Sequence, residues 1–399
     1  MNTRSFKDIF ADEGLRRSKD KIIFRLHENS YQHLESVGNG GNDRISHVTY
    51  CVAPNAGDTV LSQCVRKTIS SAIPTSGWDI IPVNKKVTRE VIDTINRNRM
   101  LVIGGGGLFL PDTNKNSVSG WQWAVSHDLL YQVEVPICVY SVGYNYFRGQ
   151  ESNSLFVESL KDLVSKSSFF GLRNKGSIEA IRKLIPDESS SKIVYQPCTT
   201  TLIRKLFKDY LPEKKETGNV AINMAFDREV LRYGNNKNTI LSQVARATKV
   251  IEEKGYRLFY VCHCWDDDKF LPYLKKCNVK YELVDLSRKF PPEVYSFYNN
   301  MDIVLGMRGH AQMIPFGLNC DIISLGTHDK LKWFLDDIDA GDWYIDLVKS
   351  DNNITEDIVE AFLRIHETDA CLTKERLRKA QDLLWQITID NLKVIMGVL

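Results

Sequence analysis

Apolar runs of strand length recur along the first half of the chain, at residues 47–53, 78–83, 100–103, 135–142, 169–173 and 193–197. Most end at a Gly, Pro or Asn turn signal, and between them lie stretches with helical spacing, at 59–69, 88–98, 121–131 and 155–165 and from Ser177 onward. This rhythm predicts strands alternating with helices. A charged, turn-rich stretch at 205–218 reads as a linker, after which the rhythm restarts. Strands are predicted at 220–225, 257–262, 279–284, 303–305 and 322–325, with a helix over 240–254 and a terminal helical pattern over 372–399. Alternation of this kind predicts α/β architecture, with parallel sheets covered by helices on both faces. The expected organisation is one domain over 1–204, a linker, a second domain over 219–371 and a C-terminal helix, with ligands held in the cleft at the carboxyl ends of strands.

Composition narrows this picture only at its edges. A length of 399 residues suits two cores better than one. A hydrophobic content of 43% with 26% charged residues is that of a soluble globular protein. Lys and Arg total 52 against 50 Asp and Glu, and a net charge of +2 gives no field that would favour nucleic acid as a partner. Nine cysteines are scattered without a CxxC pair, which argues against a disulfide framework or zinc ribbon and for a reduced, cytoplasmic setting. The sequence shows no signal-peptide pattern and no apolar run long enough to span a bilayer. Membrane contact is therefore expected to be peripheral at most, at the inner face, and the mildly basic residues 15–21 are its candidate. The preferred reading of that segment is a solvated helix end.

Chemistry-bearing residues gather at the predicted strand ends. Asn55 and Asp58 follow the first strand, Gly104 to Gly107 the third, Asn145 the fourth and Arg173 the fifth; in the second half Arg308-Gly309-His310 and Lys330 do the same. The glycine run has neither the Gly-Lys-Ser/Thr ending of a phosphate loop nor the third glycine of a dinucleotide fingerprint, since Phe109 stands there. Arg308 and His310 meet a helix start, an anion-binding arrangement. In an extended segment their side chains would share one side, and in a helical turn they would splay. Arg173 with Arg308 could clamp a ligand bearing two anionic groups, because guanidinium binds phosphate and carboxylate through paired hydrogen bonds. Asp58 reads either as an N-terminal helix residue or as a base. Trp121, Gln122, Trp123 and His127 offer aromatic and polar surfaces suited to a sugar, the alternative being core packing. The Cys262–Asp268 run has poor zinc spacing, and its acids are expected to cap the next helix.

As an ordered set over residues 47–335, Asn55 to Asp58, Gly104 to Gly107, Arg173 with Ser177, Arg308-Gly309-His310 and Lys330 resemble the polysaccharide pyruvyl transferases. One departure is Gly309, where that family commonly has Leu. The resemblance implies a GT-B-like fold of two facing Rossmann-like domains. It also implies transfer of pyruvate from phosphoenolpyruvate to two hydroxyls of a sugar, in a polysaccharide or its lipid-linked precursor, with phosphate release and no metal or other cofactor. His310 would be the acid, Arg173, Arg308, Gly309, His310 and Lys330 would hold the donor, and Asp58 would accept a hydroxyl proton. Acceptor contacts would come from Asn55, Asp58, Gly105, Gly106, Trp121, Gln122, His127 and Asn145. The rival readings are a glycosyltransferase with a nucleotide-sugar donor on the same fold and a non-catalytic partner protein.

Overall fold

The computed structural model describes residues 43–50, 55–147, 149–349 and 353–399. The basic segment at 15–21 and the end of the first predicted strand, 51–53, lie outside them. Two six-stranded parallel sheets form the frame. The first contains β1 (Arg44–Thr49), β2 (Gly77–Pro82), β3 (Met100–Phe109), β4 (Ile137–Tyr144), β5 (Phe169–Leu172) and β6 (Ile193–Tyr195), in the order β2-β1-β3-β4-β5-β6. The second contains β7 (Asn219–Asn223), β8 (Arg257–Cys262), β9 (Glu282–Asp285), β10 (Ile303–Gly306), β11 (Asp321–Gly326) and β12 (Tyr344–Asp346), in the order β12-β11-β10-β7-β8-β9. The strand order reverses between β1 and β3 in one sheet and between β7 and β10 in the other. Those reversals open the crevices in which doubly wound sheets bind ligands.

The apolar runs become central strands because both faces of a parallel sheet are covered. All six residues of β1 and all six of β11 are buried. Two expectations fail, and one strand was not expected. Residues 121–126 are a loop, and the helix begins only at His127: Ser119 Oγ donates to the Trp123 carbonyl at 2.7 Å and Asn116 Nδ2 to that of Trp121 at 2.6 Å, so side chains take the place of helical bonds. The glycine run is not a turn after β3 but part of it, pairing with β4 through Gly104 and Gly106. Gly104 and Gly106 have φ of +138° and +103°, and a Cβ on Gly104 would lie 2.1 Å from the Tyr140 carbonyl oxygen, so no other residue fits this close approach. Finally, β12 was not foreseen; three residues are too few for a periodic signal.

Helix α1 (Ala56–Ser70) leaves the first switch point and buries Val60, Leu61, Cys64 and Val65 in an apolar cluster shared with the second sheet's layer. Cys64 Sγ lies 3.5 Å from the Tyr295 hydroxyl. The terminal helix (Ala370–Met396) also joins the halves: Gln381 donates to the Phe316 carbonyl at 2.6 Å and Asn391 to that of Tyr195 at 2.8 Å. No helix among the described residues is long and apolar enough to cross a membrane.

Candidate active site

The two switch points face each other across one cavity of about 270 Å³. Asn55, capping α1, accepts from Gly57 N through Oδ1 at 2.9 Å, and its Nδ2 donates to Asp58 Oδ2 at 2.7 Å. Gly105 and Gly106 come from β3, Asn145 follows β4, and Arg173 follows β5 immediately before α2 (Lys175–Arg182), which Asn174 caps. From the second half, Arg308, Gly309 and His310 follow β10 at the start of α3 (His310–Gly317), and Lys330 sits in the first turn of α4 (Asp329–Asp337), after β11. Of these, all but Gly57 and Asn174 line the cavity, as does Gln122.

Two expected acceptor residues do not. Trp121 is 1% exposed, stacked edge-on against Phe109, and its indole donates to Ser159 at 3.0 Å, so it belongs to the core. His127 lies on the outer surface, 2.8 Å from Asp162 Oδ2. The loop that replaces the expected helix sends Trp121 inward and leaves Gln122 at the cavity, where its Nε2 donates to the Gly107 carbonyl at 2.9 Å.

Arg308 departs from the expected two-arginine clamp. Gly309 is helical, with φ −54° and ψ −45°, so Arg308 and His310 splay. Each guanidinium nitrogen of Arg308 already donates to a carboxylate: Nε to Asp267 at 2.9 Å, Nη1 to Asp227 at 2.9 Å, and Nη2 to Asp267 at 2.6 Å and Asp266 at 3.1 Å. Asp267 also accepts from the backbone N–H groups of His263 and Cys264 and from Asn223. The acidic run therefore holds Arg308 in place instead of capping a helix, and that corner of the cavity is neutralised.

Among the described residues, the cationic groups of the cavity without an ion pair lie elsewhere. Arg173 is 3% exposed, and among the described residues its guanidinium bonds only Asn145 Oδ1, at 2.6 Å through Nη2. Its guanidinium occupies space that only a glycine at 143 leaves open, since a Cβ there would lie 2.2 Å from Nε. The Lys330 ammonium has no hydrogen bond or ion pair among the described residues; burial and the neighbouring Arg173 hold it well below the usual lysine range. A Cβ on Gly309 would lie 3.3 Å from Lys330 Cε, so the missing side chain gives this lysine its room.

His310 stands between these cations. Burial, then Arg173, Lys330 and His263, hold its imidazole well below the ordinary range, and it is neutral in the free protein. Burial pushes the Asp58 carboxyl up to about 6, against the pull of Lys330, Arg173 and Arg308. An anion entering here meets two unpaired cations and the N-terminus of α3.

Sequence reasoning missed the residues that close the cavity's sides. Asp227 and Arg228 follow β7, at the second switch point, and their position alone could have marked them. Arg232, His263, Phe147 and His328 also line the cavity. Phe147, from the first half, stacks on His328 with centroids 4.5 Å apart, and no local sequence signal announces that pairing.

A family model described as polysaccharide pyruvyl transferase matches residues 55–329. No curated protein matches the sequence. Among solved structures, a protein from Listeria monocytogenes assigned as a UDP-N-acetylglucosamine 2-epimerase is 10% identical with a TM-score of 0.51, over 85% of this chain and 91% of that one. S. aureus MnaA, solved with UDP, is 12% identical with a TM-score of 0.48, over 83% of this chain and 90% of that one. At such identity the Listeria structure speaks for the two-domain α/β fold alone.

Proposed function

The chain belongs to the polysaccharide pyruvyl transferase family, and from that premise we propose that it transfers pyruvate from phosphoenolpyruvate to two hydroxyls of one sugar, in a polysaccharide or its lipid-linked precursor. The product is a cyclic ketal and phosphate leaves. The observation that carries this reading is the pair of unpaired cations, Arg173 and Lys330, beside a buried histidine and a helix N-terminus. Phosphoenolpyruvate presents a phosphate and a carboxylate to them. Arg308, engaged by its aspartates, fixes the start of α3 and so positions His310 in place of acting as the second fork of a clamp.

In this reading the donor's negative charge restores a proton to His310, which delivers it to the methylene carbon. The central carbon becomes electrophilic, and one sugar hydroxyl adds there while Asp58 accepts its proton. Departure of phosphate regenerates an electrophilic carbon, the second hydroxyl closes the ring, and its proton leaves with phosphate. Of the two hydroxyl hydrogens, one is balanced by the new methyl C–H and the other by hydrogen phosphate.

The test is to mix protein, phosphoenolpyruvate and candidate glycans and to follow phosphate release. His310→Ala is expected to slow turnover roughly 10²- to 10⁴-fold; near-normal turnover would remove His310 from the mechanism. Release of nucleotide from a sugar nucleotide, with no phosphate from phosphoenolpyruvate, would favour a glycosyltransferase.

A further inference from the structure

His310 is carried by the second half of the molecule, yet both edges of its ring are set by the first. Its Nε2 lies 3.8 Å from the Sγ of Cys198, a residue 2% exposed that follows β6. Cys198 Sγ in turn lies 3.2 Å from Oγ1 of the fully buried Thr200. On the other edge the ring rests against Gly57 in the first turn of α1. A Cβ there would lie 2.5 Å from Nδ1 and 2.7 Å from the histidine's own Cβ. Nδ1 makes no hydrogen bond among the described residues, so one nitrogen has a partner while the other, beside the side-chain-free Gly57, has none.

We propose that Cys198, backed by Thr200, is a positioning residue: its sulfur accepts from Nε2–H, fixes the ring against Gly57 and leaves Nδ1 as the nitrogen that delivers the proton. This rests on the reading of His310 as the acid. A thiol is both a weak donor and a weak acceptor. With its S–H turned toward Thr200 Oγ1, the sulfur can receive Nε2–H before and after transfer. The protonated ring carries hydrogens on both nitrogens. When Nδ1 gives its proton to the methylene carbon, a C–H bond forms, the ring returns to the neutral Nε2–H tautomer, and the bond to sulfur persists. The chemistry also becomes conditional on the two halves being together, because the residue that orients His310 belongs to the other half.

Cys198→Ala and Cys198→Ser test this, with two readouts. In the turnover assay Cys198→Ala is expected to lower kcat by roughly 10- to 100-fold, as misplacing a reacting group does, with KM for phosphoenolpyruvate little changed and the pH–rate profile displaced. Cys198→Ser, which keeps a donor and acceptor, should restore most of kcat. In the free protein, nitrogen NMR of labelled histidine should show His310 as a single Nε2–H tautomer, giving way to a mixture in Cys198→Ala. An unchanged tautomer and pH profile in a folded Cys198→Ala protein would overturn the proposal, as would a serine variant no better than alanine. Should the wild-type protein release no phosphate from phosphoenolpyruvate with any glycan, the functional reading fails on its own, and the NMR comparison still decides what Cys198 does to His310.

Discussion

His310 is neutral in the free site because burial and two neighbouring cations make a second proton costly. The proposed donor offsets the second influence by placing negative charge against Arg173 and Lys330. The sign follows directly: a histidine depressed in the free protein and relieved in the complex takes up a proton on binding. Asp58, at about 6, is largely ionised near pH 7.5 and so stays available as the base. Donor binding at about pH 7.5, above the second phosphate pKa of roughly 6, should therefore be coupled to net proton uptake and should weaken as pH rises. Calorimetry in buffers of different ionisation enthalpy reads this number. His310→Ala should remove the larger share, and a wild-type protein that binds without uptake would contradict this account of the site.

At the scale of elements, α1 performs two tasks at once. Its body fixes the halves together through Cys64 and Tyr295, and its first turn presents Asn55 and Asp58 to the cavity. Asn55→Ala removes the cap and the amide that fixes Asp58, and should cost about 1 kcal/mol of stability together with activity. Asn55→Asp keeps a capping oxygen and should recover the stability. It also sets a second carboxylate beside Asp58, which raises Asp58's titration further and leaves less of it ionised to act as a base. Chemical denaturation and phosphate release, measured side by side, would separate the two effects; an Asn55→Asp enzyme as active as wild type near neutral pH would contradict the role given to Asp58. Elements such as β1, β7 and β10 were legible because buried parallel strands leave apolar runs, and Asn55, Arg173, His310 and Lys330 because strand ends are where such folds hold ligands. The loop at 121–126 was not legible, since its aromatic spacing imitates a helix and only Ser119 and Asn116, through bonds visible in three dimensions, unmake it. Nor were the partners of Arg308. Asp227, Asp266 and Asp267 follow β7 and β8, and meet Arg308 only because the sheet order sets β10 beside β7 and β7 beside β8.

At the scale of the whole molecule, the halves face each other across a solvent-open cavity of about 270 Å³, just below the ~300–1,000 Å³ of common ligand sites. That suits a small donor, and on the proposed function the halves would part to admit a sugar beside it. They are joined differently on two sides. Near β6 the contacts combine ring packing and hydrogen bonds: Phe207 against Tyr295, the Tyr295 hydroxyl to Gln63 and Cys64, and the terminal helix bonded to Tyr195. Across the cavity the join is polar. Arg228, in the left-handed region with φ of +57°, donates through Nε and Nη2 to Asp112 at 2.6 Å each and through Nη2 to Thr113 at 2.8 Å, while Phe147 packs on His328. Such a geometry makes the β6 side the pivot and the Asp112–Arg228 pair the clasp. Because that pair is partly exposed, Asp112→Ala should change global stability by less than about 1 kcal/mol. Its effect should instead fall on closure: a larger radius of gyration by small-angle scattering, faster amide exchange around Phe147 and His328, and a severalfold lower kcat, because Cys198 and Gly57 then meet His310 for a smaller fraction of the time. Unchanged scattering together with unchanged kcat would mean that the clasp does not govern closure and that the acceptor reaches the donor by another route.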